Sequence, residues 1–321
     1  MTFPVRPAER AVIADALGGV ADPVYLADLD DAARAAALGT ATALLARNTG
    51  KELRGTEPTL IANARLVQFV TAGVDYIPLS ALPPSVPVAA NGGAYAEAMA
   101  EHGLAMVMAA AKRLLVEHAA LARGEFNQFT RNRVLRGRVC GILGFGGIGV
   151  ATARLMRAIG MRVHAINRRG AADEPTDWIG TTDQLDTLLA ASDVLMICTP
   201  LTRRTEGLIG ARELGLMKDD AILVNLARGE IVQEAALFAH LQAHPAFTAC
   251  IDAWWVEPVR HGTFRMDHPF LSLPNVIGSP HNSASTADAG ETGLRRAIAN
   301  IRRVLAGEPA LYVIGPDERM L

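Results

Sequence analysis

Three polar residues stand in otherwise apolar, strand-like surroundings: Arg228 in VNLARGEIV, Glu257 in IDAWWVEP and His281 in IGSPHNSAST. An arginine so placed can clamp a carboxylate or a 2-oxo group with its planar fork of donors. A histidine can give or take a substrate proton, and a carboxylate beside it can hold the imidazolium. Any one alone reads as an ordinary satisfied side chain; three at successive strand ends read as a proton-transfer site. A second constellation, Gly144-Phe145-Gly146-Gly147-Ile148-Gly149, fits G-x-G-x-x-G. It follows the apolar run VCGIL and opens the helix-like VATARLMRAIG, the context this motif requires. Gly144 would permit the tight turn, Gly146 the approach of a pyrophosphate, and Gly149 close packing of helix on strand. The phosphates would face the unpaired N–H groups at the helix start. Together the two constellations suggest hydride transfer between a nicotinamide cofactor and a small 2-hydroxy or 2-oxo acid.

The second strand bears on which nicotinamide. In NAD enzymes an acidic residue near its end binds the ribose 2′-hydroxyl. Here RVHAIN ends on Asn167, and Arg168 and Arg169 follow. No carboxylate would repel a 2′-phosphate, and two guanidiniums are placed to grip one. NADP is the expected cofactor, with NAD as the alternative; in the blander reading both arginines are solvated loop charges.

These residues need a scaffold, and the chain reads as α/β. VYLADL, ALLAR, RLVQFV and VPVAAN read as strands in the first hundred residues, with helix-like segments such as DDAARAAAL between them. A second series, RVCGILGF, RVHAIN, VLMICT, AILVNLA, TACIDA and VIGSP, follows at the spacing of successive βα units. Between the series, residues 95–123 read as one long helix, apolar on most sides and so expected to be buried between domains or against another subunit. A last helix is expected from about Ala287 to Leu305, and RAVIADALGG near the start is ambiguous between strand and helix.

Composition sets the bounds. The chain has 321 residues, 50% hydrophobic and 20% charged, with a formal net charge of -2. That is enough material for two domains and carries no global field for nucleic acid or an anionic membrane. Cys140, Cys198 and Cys250 sit far apart in apolar stretches and read as buried strand residues. Without a CxxC or HExxH pattern no metal is expected. No signal-like apolar segment follows the N-terminus and no stretch reaches a membrane span, so a cytoplasmic enzyme is the expectation.

At this point the sequence resembles the D-isomer-specific 2-hydroxyacid dehydrogenase family, which includes glyoxylate/hydroxypyruvate reductases, phosphoglycerate dehydrogenases and, more distantly, formate dehydrogenases. The motifs are VTAGVDYIP (70–78), NGGAYAEAMAEH (91–102), LGFGGIG, GMRVHAIN, CTPLTRRTEGLI (198–209), VNLARGEIVQEAAL (224–237), DAWWVEP (252–258) and HPFLSLPNVIGSPH (268–281). The resemblance spans nearly the whole chain. It implies Arg228 as substrate clamp, His281 as acid/base and Glu257 as its partner. It implies that backbone N–H groups near Ala72, Gly73 and Val74 hold the substrate carboxylate. It places Thr199, Pro200, Thr205, Leu226, Ala227, Asp252 and Ser283 around the cofactor, with Asp252 near the carboxamide. It further implies two Rossmann-like doubly wound domains. The NAD(P)-binding domain, 101–285, would be inserted into a discontinuous, flavodoxin-like substrate domain, 1–100 with 286–321. A homodimer through the inserted domain is the usual assembly.

The chain also departs from the pattern. Tyr95 stands where Asn is common, which bears on hinge or substrate contacts there. Trp254 and Trp255 replace the usual Phe and Glu and resemble the formate dehydrogenase version of the motif, yet that version carries Gln at the position of Glu257 because formate oxidation moves no substrate proton. Alternatively, the two tryptophans only pack a domain or dimer edge. Two rivals follow: a formate- or phosphite-type dehydrogenase on the same frame, and a non-catalytic NAD(P)-sensing binding protein like the related C-terminal-binding corepressors.

Overall fold

The computed structural model describes residues 1–315; the last stretch expected in the substrate domain, 316–321, lies outside them. The chain divides into two compact units, one of residues 1–95 joined by the chain from Thr286 on, the other Ala96–Ser285.

In the smaller unit three parallel strands, β1 (Ala43–Ala46), β2 (Leu66–Phe69) and β3 (Val88–Ala89), pair in that order. Both faces are covered. Leu44, Val67 and Phe69 enter one core, while Leu45 and Leu66 enter a second with Ile13, Leu294 and Ile298. Double burial explains why these strands read as continuous apolar runs. The one polar side chain of β2, Gln68, is 1% exposed and fully engaged: its amide donates to Phe69 O at 2.8 Å and its oxygen accepts from Asn300 at 2.6 Å. Arg34 and Glu57 form a buried two-pronged pair, Nε to Oε1 at 2.7 Å and Nη2 to Oε2 at 2.8 Å. Hydrogen bonding to Arg34, the largest influence, holds the Glu57 carboxyl below its ordinary range against the opposing effect of burial.

The ambiguous RAVIADALGG is helix, Pro7–Leu17. Proline suits the first turn, Glu9 accepts from Arg6 N at 3.0 Å, Ile13 and Leu17 bury one face, and Gly18 ends the helix at φ 58°. VYLADL, expected as a strand, is instead a 3-10 turn at Leu26–Asp28. The acidic cluster beyond it is committed to starting a helix: Asp30 accepts from Ala33 N at 2.8 Å at the head of Asp31–Thr40.

The larger unit holds a seven-stranded, wholly parallel sheet. Its strands are β4 (Val139–Leu143), β5 (Arg162–Ile166), β6 (Trp178–Gly180), β7 (Val194–Ile197), β8 (Ile222–Asn225), β9 (Thr248–Ile251) and β10 (Val276–Gly278). Their order across the sheet is β10-β9-β8-β7-β4-β5-β6. From β4 the chain builds outward to β6, then returns to lay β7 on the other side of β4. The C-terminal edge at β4 and β7 is therefore the topological switch point, where such sheets bind ligands. β6 escapes notice in the sequence: three residues at the sheet edge give no usable periodicity, though Trp178 packs on His164 of β5 at 5.8 Å between ring centroids.

The long helix expected over 95–123 is two helices, Ala96–Ala111 and Leu114–Ala122. Nothing in AAAKRLL breaks a helix by propensity. The break is tertiary. Arg133 N donates to Ala111 O at 2.9 Å and Lys112 Nζ to Arg133 O at 2.8 Å, while Arg113 turns left-handed at φ 54°. Within the first helix, a Cβ on Gly103 would stand 2.6 Å from Met196 of β7, so the glycine lets helix and sheet meet closely. The last helix, Ala289–Leu305, starts two residues later than expected. Cys140 and Cys250 are buried strand residues, and Cys198 lies half-buried just past β7; all three are unpaired. Burial pushes the Cys250 thiol up to about 12. Among the described residues no helix is long and apolar enough to cross a membrane, and no group of three or more metal-ligating side chains is found.

Candidate active site

The glycine cradle is a turn from the end of β4 into the helix Gly147–Ala158. The three motif glycines are required for different reasons. A Cβ on Gly144, which sits at φ 99°, would fall 2.6 Å from Thr199 N, and one on Gly149 would fall 2.4 Å from Gly144 O. Those two are demanded by the protein itself. A Cβ on Gly146 would meet nothing within 4 Å, so open space lies over an exposed turn. No side chain caps the helix, which leaves its first N–H groups free to face an anion. An uncrowded glycine turn at a switch point fits a dinucleotide pyrophosphate. Phe145 and Ile148 point away from it: Phe145 is buried and Ile148 packs beside Ala96, Ala100 and Ala151.

Beyond β5, Asn167 organises its own loop. Its amide donates to Ala171 O at 2.9 Å and its oxygen accepts from Arg169 N at 2.9 Å. That loop presents Arg168 and Arg169 as exposed side chains at the strand end. Past β7, Thr199 and Pro200 follow the strand, and Thr205 ties the loop. Its hydroxyl donates to Pro200 O at 2.7 Å and accepts from Thr202 N at 2.8 Å. Past β8, Asn225 clasps the next turn, accepting from Ala227 N at 3.0 Å and donating to Arg228 O at 2.8 Å. Leu226 is 1% exposed and packs inward, so only its backbone could touch a ligand.

The catalytic candidates converge at the β8–β9–β10 end of this edge. His281 Nδ1 lies 2.8 Å from both Oε1 and Oε2 of Glu257. Glu257 is 6% exposed, and Oε1 also accepts from Trp254 N at 2.7 Å. Burial, the largest influence, pushes this carboxyl up; hydrogen bonding to His281, its charge, the Trp254 amide and the Arg228 charge together outweigh it and hold it below its ordinary value. An ionised carboxylate only accepts, so Nδ1 carries the proton and Nε2 is left for chemistry. Arg228 is half-buried, and its Nη1 donates to Ala227 O at 2.8 Å.

A profile of the D-isomer specific 2-hydroxyacid dehydrogenase NAD-binding domain matches residues 104–283, more than half the chain. The chain belongs to the D-isomer specific 2-hydroxyacid dehydrogenase family. It is 34% identical over 230 residues to a D-3-phosphoglycerate dehydrogenase of Archaeoglobus fulgidus, covering 71% of this chain and 42% of that one. It thus spans less than half the length of that relative. A glyoxylate reductase of Thermofilum pendens is 30% identical over 259 residues, covering 78% of this chain and 75% of its own. Among solved structures, a D-isomer specific 2-hydroxyacid dehydrogenase of Xanthobacter autotrophicus Py2 in complex with NADPH and MES superposes with a TM-score of 0.75 at 26% identity, covering 96% of this chain and 94% of that one.

In this family member the departures from pattern have structural explanations. Trp254 is 3% exposed and donates to Ser279 O at 2.8 Å; Trp255 donates to Val232 O at 2.7 Å and stacks on Phe270 at 5.2 Å. Both indoles brace the loops that carry Arg228, Glu257 and His281. Tyr95 belongs to the smaller unit, where its hydroxyl donates to Val70 O at 3.1 Å and burial pushes its pKa up. Ala72, Gly73 and Val74 follow β2 in that unit; the first two are half-buried and Val74 is core. The hydroxyl of neighbouring Thr71 is buried without a hydrogen-bond partner. So is that of Ser283.

Sequence reasoning missed one set of contacts. Asp252, fully buried, accepts from Ser279 Oγ at 2.5 Å, Asn282 N at 3.1 Å and Ser283 N at 3.3 Å. Its carbonyl accepts from His281 N at 2.9 Å. His102, on the helix Ala96–Ala111, lies 3.0 Å from Ser279 Oγ. The spacing of His102 and Ser279, 177 residues apart, gives no local signal.

Proposed function

We propose that this chain reduces small 2-oxo acids to D-2-hydroxy acids, preferring NADPH to NADH. The observation that carries this is the His281–Glu257 pair at one end of the sheet edge that also bears the glycine cradle. When bound, the nicotinamide supplies the hydride that goes to C2. His281 delivers a proton from Nε2 to the developing alkoxide, while Glu257, ionised, holds Nδ1–H and stabilises the imidazolium before the transfer. Arg228 meets the carboxylate and the 2-oxo oxygen and polarises the carbonyl. We also assign the backbone N–H groups of Ala72, Gly73 and Val74 to substrate binding.

For the cofactor, we assign the cradle of Gly144–Gly149 to the pyrophosphate and Asn167, Arg168 and Arg169 to the ribose end. Thr199, Pro200, Thr205, Leu226, Ala227, Asp252 and Ser283 would line the remainder. The two exposed guanidiniums, with no carboxylate among residues 167–169, favour a 2′-phosphate. A carboxylate–imidazole pair has no task in formate oxidation, which moves no substrate proton, and this favours carbonyl reduction. We assign residues 101–285 to nucleotide binding and the remainder to substrate binding. Exposed Leu114, Leu115, Leu121, Phe126, Phe129 and Val134 fall within one short segment of the larger unit, which supports a homodimer formed there. Three unpaired cysteines suit a cytoplasmic setting.

The experiment is NADPH oxidation against glyoxylate, hydroxypyruvate, pyruvate, phenylpyruvate and 2-oxo sugar acids. Turnover of at least one is expected, with kcat/KM higher for NADPH than for NADH. No turnover of any would refute the activity, and a NADPH-to-NADH ratio below one would refute the cofactor preference.

A further inference from the structure

We infer that His102 is a positioning residue for the His281 loop, acting through Ser279 and Asp252; the inference rests on the reduction proposed above. Four donors of the 279–283 segment point at Asp252: Ser279 Oγ and the N–H groups of Asn282 and Ser283 to its carboxylate, and the His281 N–H to its carbonyl. His281 itself sits in the left-handed region at φ 49°. A non-glycine residue stays there only where its surroundings over-determine it. The side chain of Asp252 is 0% exposed, so protein rather than water must satisfy and orient it.

The proton count decides the role of His102. Ser279 has one hydroxyl proton, and the 2.5 Å contact commits it to Asp252 Oδ1. Toward His102 Nε2, at 3.0 Å, Ser279 Oγ can therefore only accept. His102 accordingly carries a proton on Nε2 and donates it. The same nitrogen stands 3.8 Å from Asp252 Oδ1, too far for a direct bond, so the hydroxyl is the link. The chain of donors runs from His102 through Ser279 to the carboxylate that grips both residues following His281. Such serial bonds polarise one another. His102 thereby ties the catalytic imidazole to the rigid helix Ala96–Ala111, at the start of the same unit.

The test uses His102→Leu, which keeps bulk but no donor, and His102→Gln, which keeps a donor. Ser279→Ala and the His102→Leu/Ser279→Ala double variant complete the set. With the preferred 2-oxo acid, His102→Leu should lower kcat about tenfold with KM for both substrates changed by less than about threefold. His102→Gln should recover most of that loss. The double variant should lose no more than the worse single variant, as expected for one chain of contacts. Nitrogen-15 NMR of the imidazoles gives a readout independent of turnover. It should show His102 protonated on Nε2, and His281 ring signals displaced in His102→Leu but not in His102→Gln. Should His102→Leu fail to fold, Ser279→Ala alone must reproduce both the kcat loss and the displaced His281 signals. Unmoved His281 signals, additive losses or a His102 protonated only on Nδ1 would overturn the inference. A wild-type protein that turns over no 2-oxo acid, yet shows the expected NMR signature, would sink the activity and leave the positioning role standing.

Discussion

The glycine cradle and the His281 loop lie on one sheet edge and are built by opposite means. The cradle is marked by the absence of side chains: Gly144 and Gly149 have no room for a Cβ, and a Cβ on Gly146 would meet only open space. The His281 loop works by the convergence of side chains. Asp252, Glu257, Ser279 and Trp254, in the segments that follow β9 and β10, hold a left-handed histidine by hydrogen bonds. A pyrophosphate needs backbone N–H groups at close range, whereas proton transfer needs one nitrogen aimed within a few tenths of an ångström. The first demand is met locally and the second only by long-range contacts.

Substitutions can break this contrast or sharpen it. The largest expected effect is His281→Ala, which should cut kcat about a thousandfold, in the range general acid catalysis supplies, while NADPH binding by fluorescence titration stays unchanged. A weakened NADPH affinity of the same size would show that the two regions are one. Next comes the cradle. Gly146→Val should weaken NADPH binding about a hundredfold or more yet leave the melting temperature nearly unchanged, because its Cβ meets only open space. Gly149→Val should lose stability as well, since its Cβ would fall 2.4 Å from Gly144 O; calorimetry on both separates ligand-demanded from protein-demanded glycine. Arg168→Ser with Arg169→Ser should lower kcat/KM for NADPH about tenfold and leave NADH nearly untouched, as for a lost charged contact to a phosphate.

The smallest expected effect is a displaced pH profile. Glu257 is held below its ordinary value, so it stays ionised through the neutral range and favours a proton on its imidazole partner. Reduction needs that proton. Glu257→Gln removes the favour, so the pH at which reduction fades should fall. An unmoved profile would dissociate the pair from the chemistry. Stability follows the same sign: a depressed carboxylate stabilises the fold above its unfolded value and loses that contribution as pH falls through the folded one. Glu257→Gln should therefore be less acid-sensitive in urea titrations.

The same contrast accounts for what the sequence makes legible. The parallel α/β class, the strand ends and the glycine turn are local patterns, and each candidate residue from Gly144 to Ser283 falls at the C-terminal edge of the larger sheet. The candidates Arg228, Glu257 and His281 stand out in the sequence because each polar residue interrupts an apolar run. The errors have tertiary causes. Residues 95–123 break at Arg113 because Arg133 caps the first helix from a distance. VYLADL is a turn tied to Met1, whose N–H donates to Val24 O at 2.7 Å and whose carbonyl accepts from Leu26 N at 3.1 Å, a pairing its alternation cannot reveal. The tryptophan pair was ambiguous until Ser279 O and Val232 O appeared as its acceptors. His102 ends the block NGGAYAEAMAEH, but the role inferred for it is invisible there, because it depends on a serine brought to it by the fold.

The most direct test is the fate of label from NADPH deuterated at the transferred position of the nicotinamide, incubated with the protein and a 2-oxo acid. Deuterium at C2 of a D-2-hydroxy acid is the predicted result. The absence of label at C2, or label reaching NADP⁺ from deuterated formate instead, would contradict the proposed chemistry.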